Sequence, residues 1–200
     1  MLWKTEFSPL LKDFELKHQP VIIRVNKFDE KAAQDFNSKM ASAQSTGQKV
    51  VPVIIDSYGG QVYSLMSMIS AIKSSEIPVA TIVEGKAMSC GAVLLSFGEQ
   101  GMRFADEDAT IMIHDVSSGG RGKIEELKAD VAEADRLDEK IFTMMARNCG
   151  KKDDYFKKKV FNKKHADWFM DAKEAKTHGL VNHLRVPKMT VKVDVDIDFE

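Results

Sequence analysis

Apolar positions recur along this chain in two rhythms. Short continuous runs end at glycine, and between them lie longer stretches whose apolar residues return every three or four positions. Val21-Ile22-Ile23 reads as a first strand. Glu30 to about Ser42 reads as a helix carrying Ala33, Phe36 and Met40 on one face, and Ser45-Thr46-Gly47-Gln48 breaks that pattern. Val51 to Ile55 is a second strand, closed by Asp56-Ser57-Tyr58-Gly59-Gly60, and Val62 to Ser74 a second helix with Leu65, Met68, Ile69 and Ile72. The unit then repeats. Val79 to Val83 predicts a strand, Glu84 to Met88 a turn, and Ser89 to Ser96 a short helix apolar nearly all round, which is the mark of a buried helix.

Thr110 to His114 predicts another strand. Ser117 to Gly122 is too glycine-rich for regular structure without a partner, and Lys123 to about Asn148 predicts one long helix. Its apolar residues Ile124, Leu127, Val131, Ala134 and Ile141 fall near heptad spacing. At about 1.5 Å per residue it would reach roughly 40 Å, more than a compact domain of this size needs, so its far end is expected on another subunit. Asp171 to Glu174 opens a further helix, Gly179 closes it, and Leu180 to Leu184 predicts a strand. The tail from Thr190 to Phe199 alternates like a half-exposed strand. Strands and helices in this alternation predict a mainly parallel α/β layered fold, and 200 residues suit one domain spanning 1–200.

Composition narrows the function classes. With 29 basic against 30 acidic side chains and 44% hydrophobic residues, the chain has no polyanion footprint. Lys157-Lys158-Lys159 with Lys163-Lys164 is read as a solvated helix face, so no nucleic-acid partner is expected. The N-terminus lacks the apolar core of a signal peptide, and no apolar run approaches the roughly 20 residues of a membrane span. The expectation is a cytoplasmic protein with no membrane partner. Cys90 and Cys149 make neither a disulfide framework nor a zinc site, so no metal is expected.

Three features carry chemistry. Ser89 begins a buried helix straight after a strand and turn, where helix amides can stabilise negative charge beside its hydroxyl, although a serine in that place also serves as a plain N-cap. Gly59-Gly60 ends the preceding strand; if the two strands are neighbours in a parallel sheet, its backbone N–H groups come beside Ser89 as half of an oxyanion hole. His114 ends an apolar strand, at the sheet edge where α/β proteins gather their sites, whereas His18, His165, His178 and His183 lie in polar, surface-like contexts. Asp115 adjoins His114 but, on a strand, points to the opposite face. Spacing alone leaves Asp56, Asp108, Asp135 and Asp167 open as the acid that would orient the histidine.

The segments Gly85 to Leu95, Ile111 to His114, Asp56 to Gly60 and Asp167 to Met170, followed by Glu174-Ala175 and Gly179-Leu180-Val181, resemble in order the motifs of the Clp protease proteolytic subunit, the ClpP family. Ser89 and His114 are 25 residues apart, as in that family. The resemblance covers roughly residues 20 to 185. It implies a crotonase-like fold with the long helix at 123–148 as a protruding handle, an N-terminal segment at 1–19 and a tail at 186–200. It further implies a serine endopeptidase with Ser89 as nucleophile, His114 as base, Asp167 as the acid, and the N–H groups of Gly60 and Cys90 as oxyanion donors. Gly59, Val62, Ser117 and Gly119 would contact substrate, the glycine-rich segment acting as an added strand partner. No cofactor is implied. Seven-membered rings, single or stacked in pairs, an AAA+ unfoldase partner and unfolded polypeptide substrates are expected.

The sequence departs from the family pattern at Tyr58, at Asp115-Val116 after the histidine, at Cys90, and at Ala166 where an arginine used in ring pairing usually stands. Pro52 and Ile54 replace tyrosines that help to dock the ATPase. Two rival readings are a catalytically silent scaffold subunit and an acyl-CoA enzyme of the same fold, and retention of Ser89, His114 and Asp167 argues against both. A narrower reading within the peptidase class is a viral maturation or host-modulating peptidase.

Overall fold

The computed structural model describes residues 3–5 and 19–191. Most of the N-terminal segment, His18 and the tail beyond Val191 lie outside the described residues. In chain order the elements are β1 (Trp3–Thr5), β2 (Ile23–Val25), α1 (Glu30–Gln44), β3 (Val51–Ser57), α2 (Val62–Lys73), β4 (Val79–Met88), α3 (Cys90–Leu95), β5 (Arg103–Ala105), β6 (Thr110–Ile113), α4 (Ile124–Asn148), α5 (Tyr155–Asn162), β7 (Trp168–Asp171), α6 (Ala172–Thr177), β8 (His183–Leu184) and β9 (Met189–Val191).

The first half follows the hydrophobic pattern closely. Asp29 caps α1 by accepting the Ala32 N–H at 2.8 Å, and the buried face of α1 is Ala33, Phe36, Met40 and Ala43. Residues of β3 are buried almost throughout, because β2 flanks it on one side and β4 on the other, both parallel. A strand covered on both faces has no polar side to alternate with, so it reads as a continuous apolar run.

The turn expected at Glu84 to Met88 is strand instead. β4 is ten residues long and branches the sheet. Its first half pairs with β5 (Thr81↔Arg103, Val83↔Ala105), and its second half pairs with β6 (Lys86↔Thr110, Met88↔Met112), all parallel. On its other edge the register with β3 shifts between Ile55 and Ser57, and Ser57 meets Ala87. The polar composition of Glu84, Gly85 and Lys86 suggested a turn, but backbone partners on both edges hold the segment extended. Other departures are local. The first strand starts at Ile23, two residues late, and the strand expected from Leu180 shrinks to His183–Leu184. β5, α5 and β7 are additions, and β7 is antiparallel to β6 (Ile111↔Met170, Ile113↔Trp168) within an otherwise parallel sheet.

The long helix spans Ile124 to Asn148 as predicted, yet it docks unevenly. All its buried residues, from Leu137 to Ala146, lie in the second half, while Ile124 and Val131 are 71% and 60% exposed. The near-heptad apolar stripe therefore splits into a core-facing part and a projecting part. α5 covers the docked half; Phe156 and Val160 are fully buried, and Phe156 lies 6.5 Å from the Trp168 ring that begins β7. The lysines of α5 behave as a solvated face, with Lys157 on Glu139 at 2.6 Å and Lys158 on Asp154 at 2.5 Å. No described helix is long and apolar enough to cross a membrane.

Phe156→Ala is expected to cost about 3–5 kcal/mol, because the ring is fully buried between α4, α5 and β7 and leaves a cavity. Urea unfolding should show a lower midpoint with an unchanged slope; a midpoint within error of wild type would contradict this packing.

Candidate active site

The site forms where β4 ends. Ser89 follows Met88 directly and has φ 54 and ψ −121, outside the regions ordinary residues occupy. Backbone in such a region costs about 1–3 kcal/mol and persists only where its surroundings enforce it. Two contacts enforce it here. The Ser89 N–H donates to the Met112 carbonyl at 2.9 Å, continuing the β4–β6 ladder, and the Ser89 carbonyl accepts the Ala92 and Val93 N–H groups at 2.9 and 3.2 Å, starting α3. The reversal between them turns the side chain out of the sheet. Ser89 makes no side-chain cap on α3, so its hydroxyl is not used as the N-cap that a serine there could have been.

His114 lies just past β6, the strand beside β4. Its Nε2 is 2.9 Å from Ser89 Oγ. On the ring's other side Nδ1 is 3.6 Å from Asp167 Oδ1, an ion-pair distance that exceeds a hydrogen bond. Asp167 immediately precedes β7, which is paired with β6, so antiparallel pairing of these two strands sets His114 and Asp167 side by side. The histidine side chain is 25% exposed and that of Asp167 52%.

The diglycine loop closes the other flank. Gly59 has φ +110, and a Cβ there would stand 2.7 Å from the Ser89 Cβ; Gly60 has φ +150, and a Cβ would stand 2.4 Å from the Phe28 carbonyl oxygen. Only glycine allows β3 to end this close to Ser89. Gln61 N–H donates to Phe28 O at 2.7 Å, which fixes the loop against the chain after β2. The Cys90 N–H, first in α3, has no intrahelical acceptor by position. Cys90 Sγ reaches the Gly60 carbonyl at 3.3 Å, and burial pushes its thiol pKa up, so the sulfur ties the two segments as a neutral thiol.

A cleft opens beside Ser89. Val62 and Leu65 of α2, Val93 of α3, Ile113 of β6, and Ile141 and Phe142 of α4 give it apolar walls; Asp115 and Asp138 give it acidic ones. Ser117 borders it. Gly119 does not, since residues 117–120 run exposed and without regular structure.

Of the four carboxylates left open by spacing, Asp56 instead holds Lys86 at 2.8 Å, and the Lys86 ammonium sits 4.5 Å from the centre of the exposed Tyr58 ring. Asp115 does stay off the imidazole of His114, but for another reason than strand alternation: β6 has already ended at Ile113. Its carboxylate pairs with His165 Nδ1 at 2.5 Å. That pair links the segment after His114 to the loop before Asp167, and the sequence reading, which placed His165 among surface groups, did not anticipate it. His178 also departs from a surface role. It is half-buried, accepts or donates to the Tyr155 hydroxyl at 2.8 Å, and lies 4.8 Å edge-on to Trp168, and burial lowers its pKa. Among the described residues no cluster of His, Cys, Asp or Glu is arranged to hold a metal ion.

Comparison with known proteins places the chain in a family. The family model for Clp protease matches residues 12–188. The ATP-dependent Clp protease proteolytic subunit 1 of Rhodopirellula baltica is similar to this chain, at 30% identity over 165 residues that cover 82% of this chain and 71% of the relative. With a match across nearly all of its described residues, this chain belongs to the Clp protease family.

Proposed function

We propose that the protein is a serine endopeptidase that uses Ser89 as nucleophile, His114 as general base and Asp167 as the acid that orients the imidazole. The 2.9 Å approach of His114 Nε2 to Ser89 Oγ, in a serine held at a strained backbone turn, carries this reading. With Nε2 unprotonated, Ser89 donates its hydroxyl proton to it and Oγ attacks the scissile carbonyl. The Gly60 and Cys90 N–H groups stabilise the resulting oxyanion. His114 then returns the proton to the leaving amine nitrogen, the C–N bond breaks, and an acyl ester remains on Ser89. Water, deprotonated by the same Nε2, attacks the ester, and collapse of the second tetrahedral intermediate releases the acid and restores the hydroxyl.

Asp167 Oδ1 at 3.6 Å from Nδ1 supports the orienting role, because contacts of this kind are often long before substrate binds and shorten in the complex. Val62 and Ser117 border the cleft, and Gly59 abuts Ser89, in keeping with substrate contact; Gly119 would join only if the exposed segment 117–120 pairs with an extended peptide. The reading extends to a ring chamber assembled through the projecting half of α4, acting on unfolded polypeptide delivered by an AAA+ unfoldase, with peptide hydrolysis itself needing no ATP. Ile124 and Val131 support assembly, being apolar, strongly exposed and on a helix that outruns its own core. A cytoplasmic setting fits two cysteines that are both unpaired.

Three outcomes test this. A fluorophosphonate should label one site per chain, mapped to Ser89 by peptide mass, and labelling that persists in Ser89→Ala would sink the assignment. Asp167→Asn should lower kcat on a short fluorogenic peptide by up to about 10⁴-fold, the loss typical when the acid of a serine-protease triad becomes an amide, while Asp115→Asn should cost far less. If Asp115→Asn alone abolishes turnover, the acid is misassigned. Finally, mass photometry should find a species several-fold heavier than the 22.4 kDa chain, and the double substitution Ile124→Asp with Val131→Asp should shift it toward monomer. A wild type that is monomeric at micromolar concentration would contradict the ring.

A further inference from the structure

The cleft beside Ser89 has a composition that the peptidase reading does not use. Its walls share Gly60, Ser89 and Cys90 with the proposed reaction centre, so the side chain that precedes the scissile bond enters it when the carbonyl meets Oγ. Most of its side-chain walls are apolar, but Asp138 of α4 also lines the cleft, in a residue that is only 9% exposed. Its Oδ1 accepts the Val116 N–H at 2.9 Å, which fixes the carboxylate toward the segment following His114. Among the described residues its Oδ2 has neither a hydrogen bond nor an ion pair, and it is not sealed from solvent.

No lysine or arginine lines the cleft. Lys157, the cation whose charge reaches Asp138, is itself paired to Glu139 at 2.6 Å. Burial first, and then the negative potential of Asp115 and Asp135, raise the Asp138 pKa against the opposing pull of the Val116 N–H and of Lys157. A purely apolar substrate side chain would complete that burial and leave Oδ2 without a partner, which is costly. A long cationic side chain would lay its methylenes on Leu65, Val93 and Phe142 and bring its charge to Oδ2.

We infer that Asp138 selects lysine or arginine at the residue whose carbonyl Ser89 attacks, so that the protein cleaves after basic residues. This rests on the proposed peptidase activity, and the experiment separates the two. Fluorogenic peptides identical but for arginine, citrulline or leucine at that residue compare charge at constant shape. Wild type should favour arginine over both others by at least about tenfold in kcat/KM, and Asp138→Asn, which keeps an oxygen for the Val116 N–H, should bring arginine and citrulline to parity. Benzamidine should slow fluorophosphonate labelling of Ser89 in wild type and not in Asp138→Asn, a readout that needs no turnover. If Asp138→Asn does not fold, the arginine-to-citrulline ratio and benzamidine protection of wild type decide alone. Labelled wild type that prefers leucine or treats arginine and citrulline alike overturns the selectivity and leaves the triad standing. Absence of labelling at Ser89 overturns the peptidase reading and this inference with it.

Discussion

Everything at the site hangs on the backbone reversal at Ser89. β4 must stay extended through Met88 to pair with β6, and α3 must begin at Cys90 to bury six consecutive residues, so one residue absorbs the whole change of direction. The Ser89 N–H belongs to the sheet through Met112, and its carbonyl belongs to the helix through Ala92 and Val93. A conformation that costs free energy locally is thus held by bonds on both sides. It turns the hydroxyl out toward His114 and the helix amides, where a relaxed residue would have turned it into the sheet or onto a cap.

The branching of β4 explains why the other groups converge there. One edge of its second half carries β3, whose glycines approach Ser89; the other carries β6, which delivers His114 and, through its antiparallel partner β7, Asp167. The three groups come from distant stretches of chain but from contiguous strands. Their separations are therefore set by ladder spacing more than by loop conformation. The least constrained member is Asp167, half exposed and on a loop whose preceding residues Lys164 and His165 have φ of 60° and 58°. The Asp115–His165 pair is the described contact that ties this loop to the histidine segment.

Several departures from the family pattern are neutral for the chemistry. Cys90 has the side chain turned away from the role proposed for its backbone N–H, with its buried thiol against the Gly60 carbonyl. Tyr58 points to solvent under Lys86 and leaves the adjacent glycines in place. Pro52 and Ile54 are both buried beneath the sheet's neighbours, so the strand offers no aromatic rings to a docking protein at these positions.

The sequence by itself determined the elements whose pattern is local. Helices α1, α2, α3 and α4 were legible from apolar spacing, and Ser89 and His114 as candidates from their places at the ends of apolar runs, because burial on one face imposes a period that survives without any knowledge of the partner. It could not separate Asp167 from Asp56, Asp108 or Asp135 except through family resemblance, since the pairing of β6 with β7 that brings Asp167 to the imidazole leaves no mark on spacing. The extended segment Glu84–Met88 looked like a turn because its polar residues carry no apolar rhythm; only hydrogen bonds to two neighbouring strands make it strand. Nothing in the apolar spacing of α4 singled out Asp138. The tertiary structure decided its place by docking only the second half of α4, so that a carboxylate ordinarily left in water became part of a nearly closed wall beside Ser89.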